Sequence, residues 1–177
     1  MSNPNTYPLP HDLAERLREV FKLPWQPQTL GELFSPSMMG PVSWDIEDLF
    51  AEAPTRHEVK MGTRRGYTHC AMDALLLPFS QDQPIELRSQ SPPSGTVILV
   101  RASKDELEVS HLEAVASFGM AREGTGAMQS LLCPFINLFP SKEEYEEWAA
   151  GHQEAWTIAL PVRDAFALLR EMARQGP

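Results

Sequence analysis

The chain has 177 residues, of which 42% are hydrophobic and 22% charged, as expected for one globular domain. Acidic residues outnumber basic ones by 24 to 15, which gives a net charge of −9. No cluster of Lys and Arg interrupts this excess, so nucleic acids and anionic membrane surfaces are not expected partners, because both require a concentrated basic face. No apolar run approaches the ~20 residues that a membrane-spanning helix needs.

The expected compartment is the cytoplasm. Residues 1–8 have neither a basic start nor an apolar stretch, so they do not fit a signal peptide. The chain has two cysteines, Cys70 and Cys133, and a reducing compartment would keep both as free thiols. On composition alone, both could equally be small buried hydrophobic side chains.

Residues 1–55 are interpreted as a helical and irregular N-terminal extension that packs on a core formed by residues 56–177. Its first helix is predicted to begin with a capping box made by Asp12 and Glu15. A second short helix is predicted from Ser43. The extension is too apolar to be an unpacked tail. Its large apolar residues are Leu13, Leu17, Val20, Phe21, Trp25, Leu33, Phe34, Met38, Met39 and Trp44.

From residue 56 onward, strands and helices alternate irregularly, which predicts an α+β fold. We expect a mixed or antiparallel sheet with flanking helices, preceded by the short helical extension. The predicted strands, in chain order, are residues 57–61, 65–68, 85–89, 96–102, 111–118, 135–139 and 156–160. The first two are expected to be joined around Gly62-Thr63. The predicted helices are residues 70–77 ending at Pro78, a short helix ending near Cys133, residues 141–150, and a last helix opened by Pro161.

The candidate chemistry lies in Cys70, Asp73 and Cys133. The sequence has no CxxC pair, no glycine-rich dinucleotide loop and no P-loop, so common metal and nucleotide sites are not supported. Asp73 follows Cys70 by three positions, so a helix starting near Cys70 places both groups on one face. Two thiols and an acid suit soft-metal chemistry, because thiolates bind a soft ion and the acid moves a proton.

The surroundings of Cys70 bear on its protonation. At a helix start, the helix dipole is expected to lower the pKa of the Cys70 thiol. Asp73 could accept that thiol proton or donate a proton to a leaving group. Alternatively, Asp73 could be a surface partner of Arg64 or Arg65. Its apolar neighbours argue against exposure, and a carboxylate inside an apolar helix is usually paired or functional.

Two segments resemble the alkylmercury lyase family. Residues 64–75, RRGYTHCAMDAL, followed by Pro78, resemble the family's catalytic segment, which has a cysteine, two residues, an aspartate and an apolar run ending in proline. Cys133 and the apolar residues 136–139 resemble the segment of its second catalytic cysteine. With a matching Pro-Ser-Gly turn at residues 93–95, the resemblance extends over roughly residues 56–170.

The resemblance implies that Cys70, Asp73 and Cys133 are both the catalytic and the mercury-binding residues. The implied reaction is protonolysis of a carbon–mercury bond, which gives a hydrocarbon and Hg(II) held by Cys70 and Cys133. It implies a small organometallic substrate, small thiols, a mercuric reductase as acceptor of the metal, and no organic cofactor.

Other functions of the cysteine pair remain open. It could serve a non-catalytic binding protein for Hg(II), Cu(I) or an arsenical. A structural zinc would need two further ligands, and a disulfide is disfavoured in the cytoplasm.

The chain departs from the family pattern at three places. About 55 residues precede the core, where the family has a larger helical domain that shields the site from water. We expect the extension to cover the pocket in place of that domain. Near Ser91 the family often has a further cysteine, and His69 stands where an aromatic residue is common.

Overall fold

The computed structural model describes residue 3, residues 6–39 and residues 45–175. Within these ranges the chain is α+β, as predicted, with nine strands and eight α-helices. The strands are β1 (Phe50–Ala51), β2 (His57–Met61), β3 (Arg64–Thr68), β4 (Ile85–Gln90), β5 (Val97–Ala102), β6 (Leu107–Val109), β7 (Val115–Ala121), β8 (Leu138–Phe139) and β9 (Ala155–Pro161). The helices are α1 (His11–Phe21), α2 (Leu30–Leu33), α3 (Pro36–Met39), α4 (Ile46–Leu49), α5 (Ala71–Gln81), α6 (Met128–Leu132), α7 (Lys142–Ala150) and α8 (Val162–Arg174).

The strands form two antiparallel sheets. The larger has the order β1-β3-β2-β4-β5-β6 and the smaller has the order β8-β7-β9. In β4 and β5 buried and exposed residues alternate, because one face of the sheet packs on the core. The predicted hairpin at residues 57–68 is confirmed, and Gly62 turns it with a φ of 61°, a conformation that glycine adopts without steric cost.

Helix α5 is the central helix of the molecule, and it packs against α8, β2, β3 and β4. The predicted end of this helix at Pro78 is wrong, because α5 continues to Gln81 and Asp82 then adopts the left-handed conformation with φ 54°. The last turn is held by packing, since the Phe79 ring lies 4.9 Å from the Phe166 ring of α8. Tertiary contacts therefore outweigh the backbone hydrogen bond that proline removes.

Strand β7 is buried along nearly its whole length and forms the centre of the smaller sheet. The predicted strand at residues 111–118 begins four residues too early, because residues 111–114 form a turn in which the Ala114 amide donates to the His111 carbonyl. The strand also continues through Gly119. A Cβ there would lie 2.6 Å from the Trp156 carbonyl oxygen, so close strand packing requires this glycine.

The N-terminal segment packs on the hydrophobic core that the two sheets share. Leu13 and Leu17 of α1 are buried, and Arg16 donates to the Ala121 carbonyl at the end of β7. The predicted capping by Asp12 is wrong, because α1 begins at His11 and Pro10 precedes it without a side-chain cap. Ser43, where a second helix was predicted to begin, lies outside the described residues; the nearest described helix, α4, is capped by Asp45.

The longest helix in the described ranges, α8, has 13 residues, and none of the helices there is long and apolar enough to cross a membrane.

Candidate functional site

A cavity of about 310 Å³ lies between α5, α6, α8, β7 and the N-terminal segment. It brings together all three residues that the sequence singled out. The remaining lining side chains are mainly apolar and include four methionines. The lining residues are Phe34, Met39, Asp48, Leu49, Cys70, Met72, Asp73, Leu76, Phe118, Ala127, Met128, Gln129, Leu132, Cys133, Ile136, Leu169 and Met172.

Cys70, Asp73 and Cys133 form a compact cluster in the wall of this cavity. Their two sulfur atoms and a carboxylate oxygen all lie within 4.8 Å of one another. Cys70 is buried, with 2% of its surface exposed, whereas Asp73 and Cys133 are partly exposed. The structure thus brings the two cysteine segments together at one cavity.

The backbone around Cys70 is held from both sides. Cys70 precedes the first turn of α5 in an extended conformation, and the buried Thr68 hydroxyl donates to its carbonyl at 2.9 Å. The next amide, that of Ala71, donates to the Ile136 carbonyl at 3.2 Å. This hydrogen bond joins the two cysteine segments directly and fixes their separation.

Cys133 begins a short 3₁₀ helix, Cys133–Phe135, that follows α6. The buried Ser117 hydroxyl of β7 donates to the Phe135 carbonyl at 2.8 Å and accepts from the Asn137 amide at 2.9 Å. The Asn137 side chain in turn donates to the Pro134 carbonyl at 3.0 Å. This network, not a strand over residues 135–139 as predicted, positions Cys133; the strand itself is limited to Leu138–Phe139.

The carboxyl of Asp73 is perturbed by its surroundings. Burial raises the pKa of Asp73 from 3.8 to about 7, although hydrogen bonding with Cys70 opposes this rise. Arg64, proposed from sequence as a surface partner, instead pairs with Glu47 at 3.0 Å. A carboxyl with a pKa near neutrality can both hold and release a proton under ordinary conditions.

The expected activation of Cys70 by the helix dipole is wrong. Burial raises the pKa of the Cys70 thiol well above its ordinary value, and contact with the Cys133 sulfur and the charge of Asp73 act in the same direction. Burial outweighs the helix dipole because the dipole stabilises a charge by only about 1 kcal/mol, which is less than one pKa unit. Full burial, by contrast, shifts a pKa by up to several units. The resting Cys70 is therefore a protonated thiol.

The N-terminal segment contributes part of the cavity wall. Phe34, which follows α2, and Met39 of α3 both line it. The Phe34 ring meets the Phe118 ring of β7 edge-on, with centroids 5.7 Å apart. The expectation that the extension covers the pocket is consistent with these two contacts.

The other departures from the family pattern lie outside the cavity wall. Ser91 is buried, and its hydroxyl donates to the Glu144 carboxylate of α7 at 2.6 Å. His69 lines a neighbouring open hollow together with Glu52 and Phe50.

Sequence reasoning found the three chemical groups but missed the residues that position them. Thr68, Ser117 and Asn137 are buried polar residues with 4% exposure or less. The available signal was a polar residue inside an apolar run, as Asn137 is between Ile136 and Leu138.

Comparison with known proteins agrees with the geometry. The family profile described as "MerB: Alkylmercury lyase" matches residues 50–174. The chain is similar to alkylmercury lyases of Streptomyces lividans, Bacillus cereus and Clostridium butyricum, each 26% identical over 120 residues, with 67% of this chain and 54% of the relative covered. It thus spans about half the length of these curated relatives.

The fold is also similar to that in a solved structure, "Crystal structure of the mercury-bound form of MerB2". The two chains superpose with a TM-score of 0.57 at 18% identity, over 70% of this chain and 60% of that one. The family match spans most of the sequence and contains Cys70, Asp73 and Cys133. This chain therefore belongs to the alkylmercury lyase family.

Proposed function

We propose that this protein cleaves the carbon–mercury bond of organomercurials by protonolysis. The observation that carries the proposal is the cluster in which two thiols and a carboxyl lie within 4.8 Å in the wall of one apolar cavity. Membership of the alkylmercury lyase family supports the same reaction. Cys70, Asp73 and Cys133 are the proposed catalytic residues.

The proposed reaction balances without a change of oxidation state. An organomercury thiolate, R–Hg–SR′, meets Cys133 first, because this thiol is the more exposed of the two. The sulfurs of Cys133 and Cys70 replace R′S and R on mercury, so two new Hg–S bonds form while the Hg–SR′ bond and the Hg–C bond break. The Hg–C electron pair stays on carbon and takes up a proton. The two thiol protons leave as R′SH and R–H, and Hg(II) remains between the sulfurs.

Asp73 is the proposed proton carrier. With a pKa of about 7, its carboxyl can accept the proton of a thiol as the sulfur binds mercury. It can then pass that proton to the carbon as the Hg–C bond breaks. Binding of a soft cation favours the thiolate form of Cys70, which offsets the raised pKa of the resting thiol.

The remaining expectations follow from this chemistry. The protein residues supply every group in the proposed reaction, so no organic cofactor takes part, and Hg(II) is a product. Small thiols would deliver the substrate, and a mercuric reductase would accept the metal. Free thiols of this kind persist in a reducing compartment such as the cytoplasm, where we place the reaction.

Turnover separates this proposal from soft-metal binding without cleavage. The protein is incubated with phenylmercury and excess 2-mercaptoethanol, and benzene is measured by gas chromatography. The proposal predicts many equivalents of benzene per protein chain. Mercury bound at one equivalent without benzene would instead identify a binding protein that uses the same pair of cysteines.

A further inference from the structure

The charged groups around the cavity are all acidic. Among the lining residues that the structure describes, none is Lys, Arg or His, and the carboxyls are those of Asp48 and Asp73. An anion inside this cavity would thus meet two carboxyls and an apolar wall.

A neighbouring hollow adds further carboxyls and one histidine. It shares Asp48 and Gln129 with the cavity, and it adds Glu47, Glu52 and His69. Arg64 pairs with Glu47, so one of these charges is compensated. Among the ion pairs of the described residues, Asp48 and Glu52 take part in none.

The size of the cavity suits an organic group of about one ring. A protein cavity of about 150 Å³ with apolar walls binds benzene, and this cavity measures about 310 Å³. Phe34, Met128 and Met172 supply part of the apolar wall of the cavity, and methionine side chains adapt to different shapes. A phenyl group attached to mercury therefore fits on grounds of size and polarity.

We infer that the site selects uncharged organomercurials and rejects the same organic group when it carries a carboxylate. This inference rests on the proposed function and names the substrate class of the same site. A carboxylate on the ring would lose its hydration in the apolar cavity without gaining a cationic partner. It would also be repelled by Asp48 in the cavity wall and by Glu52 in the neighbouring hollow.

The test compares phenylmercury with 4-carboxyphenylmercury, which have the same ring and the same type of bond. Both are supplied with excess 2-mercaptoethanol, a neutral thiol, at one fixed pH. The kcat/KM for each mercurial is divided by the rate of acid protonolysis of the same mercurial without protein. This division corrects for the electronic effect of the carboxylate on the bond that breaks. We expect the corrected value for phenylmercury to be at least about tenfold higher, with a smaller ratio at high salt.

Two matched variants assign the effect to the charges beside the cavity. Glu52→Gln removes a charge beside the cavity, and Glu113→Gln removes one from an exposed loop elsewhere. We expect Glu52→Gln to lower the phenyl-to-carboxyphenyl ratio about threefold and Glu113→Gln to leave that ratio unchanged. A wild-type ratio near one, or equal effects of the two variants, would overturn the inference.

The two proposals fail in distinguishable ways. If phenylmercury is cleaved and the carboxylate form is cleaved equally well, only the selectivity fails. If neither mercurial yields a hydrocarbon, the proposed function fails, and selectivity is read from the rates at which the protein's thiols capture the two mercurials. Equal capture rates would then contradict the inference, whereas faster capture of phenylmercury would support it.

Discussion

At the scale of single residues, Asp73 links stability to the proposed chemistry. Its pKa of about 7 in the folded protein exceeds the ordinary value of 3.8, so between these values the folded chain binds a proton that the unfolded chain does not. Its contribution to stability is present below pH 4 and is lost as the pH rises through 7. Buried His57 acts in the opposite direction, because burial lowers its pKa to about 4 and folding then expels a proton.

The variant Asp73→Asn should remove this dependence. Between pH 5 and pH 8, the unfolding free energy of the wild type should fall by about 2–3 kcal/mol more than that of the variant. This follows because one pKa unit corresponds to about 1.4 kcal/mol. Urea unfolding at both pH values measures this difference. Asp105→Asn, at an exposed position, is the control and should show no such change. An equal pH dependence in wild type and Asp73→Asn would show that the carboxyl is not perturbed.

A second variant of Asp73 should separate the capture of mercury from the cleavage of the carbon–mercury bond. Asp73→Ala keeps both thiols, so it should still bind phenylmercury, but it should release benzene about 10²–10⁴-fold more slowly, the usual loss when general acid–base help is removed. Single-turnover measurements of bound mercury and released benzene give both quantities. Cleavage at the wild-type rate would make Asp73 a structural residue.

Sequence predicted the chemical groups at this scale but not their protonation. The spacing of Cys70 and Asp73 and the resemblance around Cys133 predicted which three groups form the cluster. The pKa of Cys70 was expected in the wrong direction, because burial depends on which segments cover the helix start, and these are distant in sequence. The supporting serine, Ser117, lies within an apolar run, but this signal does not reveal which backbone groups its hydroxyl bonds.

At the scale of elements, local sequence patterns predicted the wrong boundaries where tertiary contacts determine where a helix or strand ends. Pro78 was expected to end α5, yet packing against α8 extends it to Gln81. Residues 111–118 were expected to be one strand, yet the first four of them form a turn. The hairpin at residues 57–68 was predicted correctly, because alternation and a glycine turn are local signals.

Ser117 provides a test of how β7 supports the Cys133 segment. Ser117→Ala removes the hydroxyl that bonds both the Phe135 carbonyl and the Asn137 amide, and leaves these buried groups without that partner. We expect a loss of about 1–3 kcal/mol in unfolding free energy and slower benzene release. Thermal denaturation and turnover measure the two effects. Ser94→Ala, in an exposed turn, should alter neither.

At the scale of the whole molecule, the N-terminal segment is tied to the core by burial. Leu13 and Leu17 are almost fully covered, and Phe34 and Met39 reach the cavity. The division into an extension of residues 1–55 and a core of residues 56–177 stays a prediction. Strand β1, which precedes that boundary, pairs with β3 of the larger sheet.

Phe34 tests whether this segment shields the thiols. Phe34→Ala opens the cavity wall opposite Phe118, so a polar thiol reagent should modify Cys70 faster than in wild type. Trp25→Ala is the matched control, because it removes an aromatic ring of the same segment that is 43% exposed and outside the cavity. Mass spectrometry of the modified cysteine gives the rates. Equal reactivity in the two variants would show that the segment does not protect the site.

The central claim is that the protein delivers a proton to the carbon of a carbon–mercury bond at Cys70 and Cys133. It is tested most directly by turnover of phenylmercury in D₂O, with the released benzene analysed by gas chromatography and mass spectrometry. The account predicts catalytic formation of benzene carrying one deuterium in wild type, and none in Cys70→Ser or Cys133→Ser, because a hydroxyl neither binds mercury well nor ionises near neutral pH. Mercury retained without deuterated benzene in wild type, or unchanged turnover in either serine variant, would contradict it.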